Sequence, residues 1–353
     1  MTFGPDHYVP VVKVKRGEKL ALKTLTTRLR SQITPLLEIV ERKPDKSLVR
    51  HLDTAFRGLG ESVSGYPRSL LDTRELAPDG PPAAVEVFRR ATAAGIVFTP
   101  VTGISRNTDT SVALRYRGNG LALRLTREEF EGGDLTDRLR HFLRQYHLQE
   151  EEIDLIVDLG PVDDLVVEGI AGLTEAFIAD VPHHSRWRTF TVSCCAFPLS
   201  MALVDRQSHD FVDRADWIAW RDHLHGRRRT LLRVPTFSDC AIQHPRGVEG
   251  FDPRIMQVSA SIRYTLPEQW LLIKGVSTRF TQPRIQFPEL ATRLVYGHLR
   301  SSFRGQRHCE GCASIKAAAD GASGFGSAEA WRRLGTMHHI STVVEQLRVL
   351  PST

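Results

Sequence analysis

The stretch IDLIVD, residues 153–158, decides how the rest of the chain reads. Leu155, Ile156 and Val157 run without a polar break and close on Asp158. A continuous apolar run, unlike an alternating one, suits a parallel strand covered on both faces. The same form recurs at His7–Lys13, Ile33–Ile39, Arg68–Asp72, Ile96–Thr102, Gly120–Arg124, Arg188–Ser193 and Arg229–Val234. Successive starts lie roughly 25 to 40 residues apart, the spacing of strand–helix units.

Helical patterns fill most of the gaps. Gly17–Ser31 places Leu20, Leu22, Leu25 and Leu29 on largely helical spacing. Pro82–Ala94 carries Val85, Val87 and Phe88, with Gly95 as its stop. Asp134 reads as the N-cap of a helix over Leu135–Tyr146, and Asp163–Ala179 and Ala215–His225 continue the series. Eight such units over about 230 residues have the size and period of a (β/α)8 barrel. A doubly wound open sheet is the alternative; no G-x-G-x-x-G follows a strand, which weakens its dinucleotide-binding form.

The rhythm breaks after Val234. Pro235–Gly250 reads as a long loop, Val258–Tyr264 and Trp270–Lys274 as strands joined by a turn at Thr265–Gln269, and Glu289–Ser301 and Glu329–Leu347 as helices. Ala313–Ser327, rich in Ala, Gly and Ser, reads as a mobile segment. The expected fold is therefore α/β: a TIM-like (β/α)8 barrel with a C-terminal β-hairpin and helical elaboration. It forms a single domain, 1–353, with the barrel core at about 7–236 and the elaboration at about 237–353.

Composition fits this. Of 353 residues, 41% are hydrophobic and 25% charged, enough for a large core and against global disorder. The net charge of +6 permits an anionic partner, yet no long basic run or tail demands nucleic acid. Arg227, Arg228 and Arg229 read as a solvated helix end. The N-terminus lacks a signal-peptide pattern and no apolar stretch approaches membrane length. Five cysteines, an odd number, fit a reducing compartment better than a disulfide framework. The expectation is a cytoplasmic protein with no membrane contact.

In a barrel the carboxyl ends of the strands converge on one mouth, where chemistry is placed. The runs here end on Lys13 and Lys15, Glu38, Asp72, Thr102, Arg124, Asp158, Ser193, and Arg233 followed by Asp239. A buried unpaired charge costs several kcal/mol, so these groups pair or meet a ligand. Lys13, Glu38, Asp72 and Asp158 are the catalytic candidates. Lys15, Arg124, Asp239, His244 and Arg263 are the candidates for ligand binding. Three carboxylates suit a divalent metal such as magnesium, and a lysine among acids suits a base, a Schiff-base nucleophile or a phosphate anchor.

Other polar groups carry weaker signals. Cys309-x-x-Cys312, preceded by His308, has the spacing of half a zinc site, and a second pair is missing. His338 and His339 are adjacent, so on a helix they diverge by about 100° and do not share a metal. Cys194 and Cys195 end a strand with no partner base in view, and the scattered aromatics, 8% of residues, form no stacking surface for single-stranded nucleic acid.

Several phrases together resemble one family: YVPVVKVKRGE (8–18), TPLLEI (34–39), PVTG (100–103), LALRL (121–125), DLIVDLG (154–160), SDCAIQHP (238–245), SASIRYT (259–265), WLLIKG (270–275) and WRRLGTMHHI (331–340). The chain is similar to the beta protein family, first met in a bacteriophage, over about residues 8–347. The resemblance implies a TIM-like barrel found near mobile elements and defence genes, with no activity assigned. It points to Lys13, Lys15, Gly17, Glu18, Glu38, Asp72, Arg124, Asp158, Asp239, Gln243, His244, Arg263, Tyr264, His338 and His339. The pattern departs at Cys240 and Met337, and Gly305–Cys312 matches it poorly. The expected function is binding or processing of a small phosphate-bearing anion, a nucleotide among them, by a hydrolase or lyase in phage defence. The alternative is a non-catalytic subunit of a defence or mobile-element assembly, with a protein partner or nucleic acid.

Overall fold

The computed structural model describes residues 2–247, 259–277 and 282–351. Its strands are β1 (Val11–Lys13), β2 (Leu36–Glu38), β3 (Ser69–Asp72), β4 (Phe98–Thr102), β5 (Leu121–Thr126), β6 (Ile153–Pro161), β7 (Thr189–Cys195), β8 (His209–Asp213), β9 (Thr236–Ser238), β10 (Ser259–Thr265) and β11 (Gln269–Ser277). Eight of them form one parallel sheet in the order β1-β2-β3-β4-β5-β6-β7-β9. The sheet closes on itself: Tyr8 bridges Phe237, Val9 N donates to Phe237 O at 3.1 Å, and Val11 N donates to Asp239 O at 2.8 Å. This is the expected (β/α)8 barrel.

The register levels the strand ends. Lys13 stands opposite Glu38, and Glu38 opposite Asp72; Asp158 stands opposite both Thr126 and Ser193. Below that level the runs are fully buried, as strands covered by helices on one side and packed into the barrel on the other must be. Helix Pro81–Ala93 shows how the outer layer is coded. Two prolines fill its first positions, where no amide partner is needed, Ala84, Val87, Phe88 and Ala91 face inward, and Gly95 leaves it at φ 65°.

The eighth barrel strand is Thr236–Ser238, not Arg229–Val234. Leu232 is 87% exposed, and Arg233 turns back to donate to the Trp187 carbonyl at 2.5 Å. The true strand is short and follows Pro235, which disguised it as a loop, and Phe237 carries it by stacking on Tyr8 and packing against Trp217 and Trp220. Burying each such ring stabilises by about 1.5–3 kcal/mol. The barrel boundary therefore lies beyond 236. Asp134 holds the N-cap position of helix Leu135–Gln145, as expected, but at φ 43° and without a side-chain capping bond, while Thr126 N donates to Glu129 Oε2 at 2.7 Å to start helix Arg127–Glu131.

The elaboration is a second sheet, β10-β11-β8, antiparallel throughout. β10 and β11 are the expected hairpin, although Val258 lies outside the described residues. β8 was not foreseen: His209–Asp213 is polar and half exposed, an edge strand with no apolar run to betray it. Helices Pro283–Val295, Glu310–Ala319 and Ala328–Val349 pack on this sheet around Tyr264, Phe287, Cys312, Ile315 and Trp331. The segment expected to be mobile thus begins as ordered helix, with Ile315 and Ala318 buried. The long helix Ala328–Val349 sits against β10 because Gly335 has no Cβ; one would lie 2.9 Å from the Arg263 carbonyl oxygen. Among the described residues no helix is long and apolar enough to cross a membrane.

Candidate functional site

Arg124 projects from β5 into the centre of the barrel end. Its Nη1 donates to Glu38 Oε1 at 2.7 Å and to Asp72 Oδ2 at 2.9 Å, and its Nε donates to Asp158 Oδ2 at 2.8 Å. One guanidinium thus ties the ends of β2, β3 and β6 to β5. All four side chains are at most 7% exposed. Arg106, from the loop after β4, donates to the second oxygen of Asp72 at 2.8 Å and also pairs with Asp109. Burial pushes the Asp72 carboxyl up, but Arg106 and Arg124 outweigh it and hold the group at about 2. The backbone completes the set: Arg74 N donates to Asp72 Oδ1 at 2.9 Å and Gly160 N to Asp158 Oδ1 at 3.0 Å. Each acid is satisfied by charged or amide donors, and the guanidinium occupies the space between them.

Above this rosette opens a cavity of about 680 Å³. Eight basic side chains line it (Lys13, Lys15, Arg42, Lys43, Arg74, Arg124, Arg127, Arg246) against five acidic ones (Glu38, Glu41, Glu75, Glu128, Asp158). Three of the cations are held by neutral oxygens. Lys13 Nζ donates to the Pro245 carbonyl, Arg127 Nη2 to the Pro161 carbonyl at 3.0 Å, and Lys15 Nζ to the Gln243 side-chain oxygen at 2.9 Å once that amide is oriented to serve both its neighbours. Gln243 in that orientation donates its other end to Glu18 Oε1 at 2.8 Å. Arg127 Nε is buried with no partner among the described residues.

Lys15 sits in a crowd of like charge. Burial, then Arg332, pulls its ammonium down to about 8, with Glu18 opposing and Lys13 and Arg263 assisting. Burial raises the Glu18 carboxyl, against the pull of Arg332, whose Nε lies 3.6 Å away.

Lys13, Lys15, Glu38, Arg124 and Asp158 therefore meet at the mouth, with Asp72 directly beneath. Three other candidates do not join them. Asp239 turns into the barrel wall, where it accepts from the Tyr8 hydroxyl and from His339 Nε2 at 3.0 Å, while Thr265 Oγ1 lies 3.0 Å from His339 Nδ1. His244 Nε2 donates to Asp163 Oδ1 at 3.1 Å, and its Nδ1 accepts from Arg246 N at 3.2 Å. Arg263 is half-buried over the Phe197 ring and donates to the Ile242 carbonyl at 2.6 Å; desolvation and Arg332 lower it to about 10. Cys194 and Cys195 are buried and their thiols are pushed up by that burial.

Sequence reasoning missed Arg74, Arg106 and Arg127. Each lies one to four residues past the end of a strand, where the chain turns over the mouth. A search of the loop starts as well as the strand ends finds them.

Closed strand order and charged mouth together define a TIM-like (β/α)8 barrel protein. Within that class the chain belongs to the beta protein family, whose model matches residues 8–345. Among solved structures it is similar to triosephosphate isomerase from Bartonella henselae, at 14% identity over 66% of this chain and 92% of the enzyme, with a TM-score of 0.28. It is also similar to tryptophan synthase from M. tuberculosis, at 11% identity over 96% of this chain and 92% of that one, with a TM-score of 0.27. No curated protein matches the chain.

Proposed function

We propose that the barrel mouth binds a small phosphate-bearing anion, with Lys13, Lys15 and Arg127 as its principal contacts. The observation that carries this reading is the state of those cations: they face a cavity of about 680 Å³ and rest on carbonyl oxygens instead of carboxylates. An ammonium or guanidinium parked on a neutral acceptor keeps its charge for a ligand, and phosphate oxygens are its strongest partners. The acids play a different part. Arg124 consumes Glu38, Asp72 and Asp158 in a buried network that fixes the floor of the site.

That network favours a second reading of the same mouth, as the ligand-sensing subunit of an assembly with no turnover of its own. A general base needs a free lone pair near its substrate, and carboxylates pinned by a central guanidinium are poor candidates. Both readings require the ligand.

The test is a thermal-shift titration with inorganic pyrophosphate and with ATP, at constant ionic strength. A ligand bound only by the folded chain raises Tm progressively with concentration. The wild type is expected to show that rise, and the Lys13→Ala/Lys15→Ala double variant to lose it while keeping its own Tm near the wild-type value. A wild-type chain indifferent to both compounds overturns the proposal.

A further inference from the structure

A second cluster lies in the elaboration, built by residues that the sequence keeps far apart. Helix Glu310–Ala319 begins at Cys309, whose Sγ accepts from the Cys312 amide at 3.3 Å. Facing this C-x-x-C turn is His338 of helix Ala328–Val349. Its Nδ1 lies 3.3 Å from Cys312 Sγ and 3.7 Å from Cys309 Sγ. The ring is held from behind: His338 Nε2 lies 2.7 Å from the Thr265 carbonyl oxygen. A carbonyl only accepts, so Nε2 carries a hydrogen, and Nδ1 is the ring nitrogen that faces the two sulfurs. His308 stands beside them, with one ligand atom within 4.8 Å of those of Cys309 and His338.

We propose that Cys309, Cys312 and His338, with His308 as the fourth ligand, form a zinc site that staples helix Glu310–Ala319 to helix Ala328–Val349. Ligand geometry supports it. Tetrahedral zinc, with Zn–S of about 2.3 Å and Zn–N of about 2.0–2.1 Å, sets its sulfur and nitrogen ligands roughly 3.5 Å apart. The two distances here bracket that value. An S2N2 donor set selects zinc over harder divalent ions.

The surroundings serve the ligands as an outer shell does. The Tyr264 hydroxyl accepts from Arg304 N at 3.0 Å, which leaves its hydrogen for Cys312 Sγ at 3.3 Å. The Thr265 carbonyl fixes the His338 tautomer, as partners behind metal-bound histidines do. Gly311, inside the C-x-x-C turn, has no Cβ; one would lie 2.6 Å from the Leu334 carbonyl oxygen. Only glycine lets the turn come this close to the facing helix. His308 and Cys309 also line an outer cleft of about 610 Å³, a route by which the ion enters. His339, one residue on, points away into the Asp239 network, so the two adjacent histidines serve different sites. The missing half of the zinc motif is thus a single histidine from a distant helix.

The test measures metal in the full chain after reconstitution with zinc and desalting. Close to one zinc per chain is expected, as for a closed structural site, and the Cys312→Ser and His338→Gln variants should each retain less than about a tenth of it. Because either variant risks misfolding, cobalt replaces zinc in the wild type, where a thiolate-to-cobalt charge-transfer band and tetrahedral ligand-field bands are expected. Three results overturn the proposal: substoichiometric zinc in the wild type, a cobalt spectrum without the thiolate band, or a reversible Cys309–Cys312 disulfide formed while zinc is present. The last identifies a redox pair.

Discussion

Arg124 shows why a charged residue sits in the apolar run LALRL. A lone buried guanidinium is costly, but here each guanidinium nitrogen meets an acid from β2, β3 or β6. Breaking such a network leaves an uncompensated charge. Asp158→Asn is therefore expected to cost about 3–5 kcal/mol of folding stability, read by urea unfolding of the variant and the wild type. A change under about 1 kcal/mol contradicts the network reading. Lys15 makes a different prediction. Burial and neighbouring cations lower its folded-state pKa from 10.5 to about 8, so the chain loses this charge as pH rises through 8. Pyrophosphate affinity should hold near pH 7 and then fall by up to about tenfold per pH unit above 8. Lys15→Arg, charged throughout, should flatten that fall in calorimetric titrations across pH 7–10. These residues were legible because a charge closing an apolar run has few structural uses. Their pairing was not legible, because which acid meets which base depends on barrel register.

Among the elements, continuous apolar runs gave away seven barrel strands, since two-sided burial writes itself into composition, and two strand-like stretches about a turn gave away the hairpin. β9 escaped because three residues after a proline carry little signal, and its stability comes from aromatic neighbours far off in sequence. β8 escaped for the opposite reason, as an edge strand that needs no apolar run. The Asp239 network joins these levels. It links the end of β9 to Tyr8 ahead of β1 and to His339 on the C-terminal helix. Burial pushes His339 below its usual range, so it meets Asp239 as a neutral donor. Asp239→Asn offers His339 an amide in place of the anion and is expected to destabilise the chain by about 1–3 kcal/mol, measured by chemical denaturation. Unchanged stability argues against a clamp between barrel and helix.

For the molecule as a whole, the net charge of +6 is less informative than its placement. The amino-terminal end of the barrel balances its own charges: Arg68 and Arg188 both grip Asp154, with bonds from 2.6 to 3.1 Å. At the mouth the cations outnumber the acids, and the excess faces an open cavity. The closed sheet supplies a rigid rim, the segments that follow β3, β4 and β5 supply Arg74, Arg106 and Arg127, and the rosette around Arg124 holds the floor. The most direct measurement is difference density from crystals of the full chain soaked in pyrophosphate. Density bridging Lys13, Lys15 and Arg127 above Arg124 is the result expected. A mouth filled only by solvent, in crystals where those side chains are ordered and unobstructed, contradicts the account.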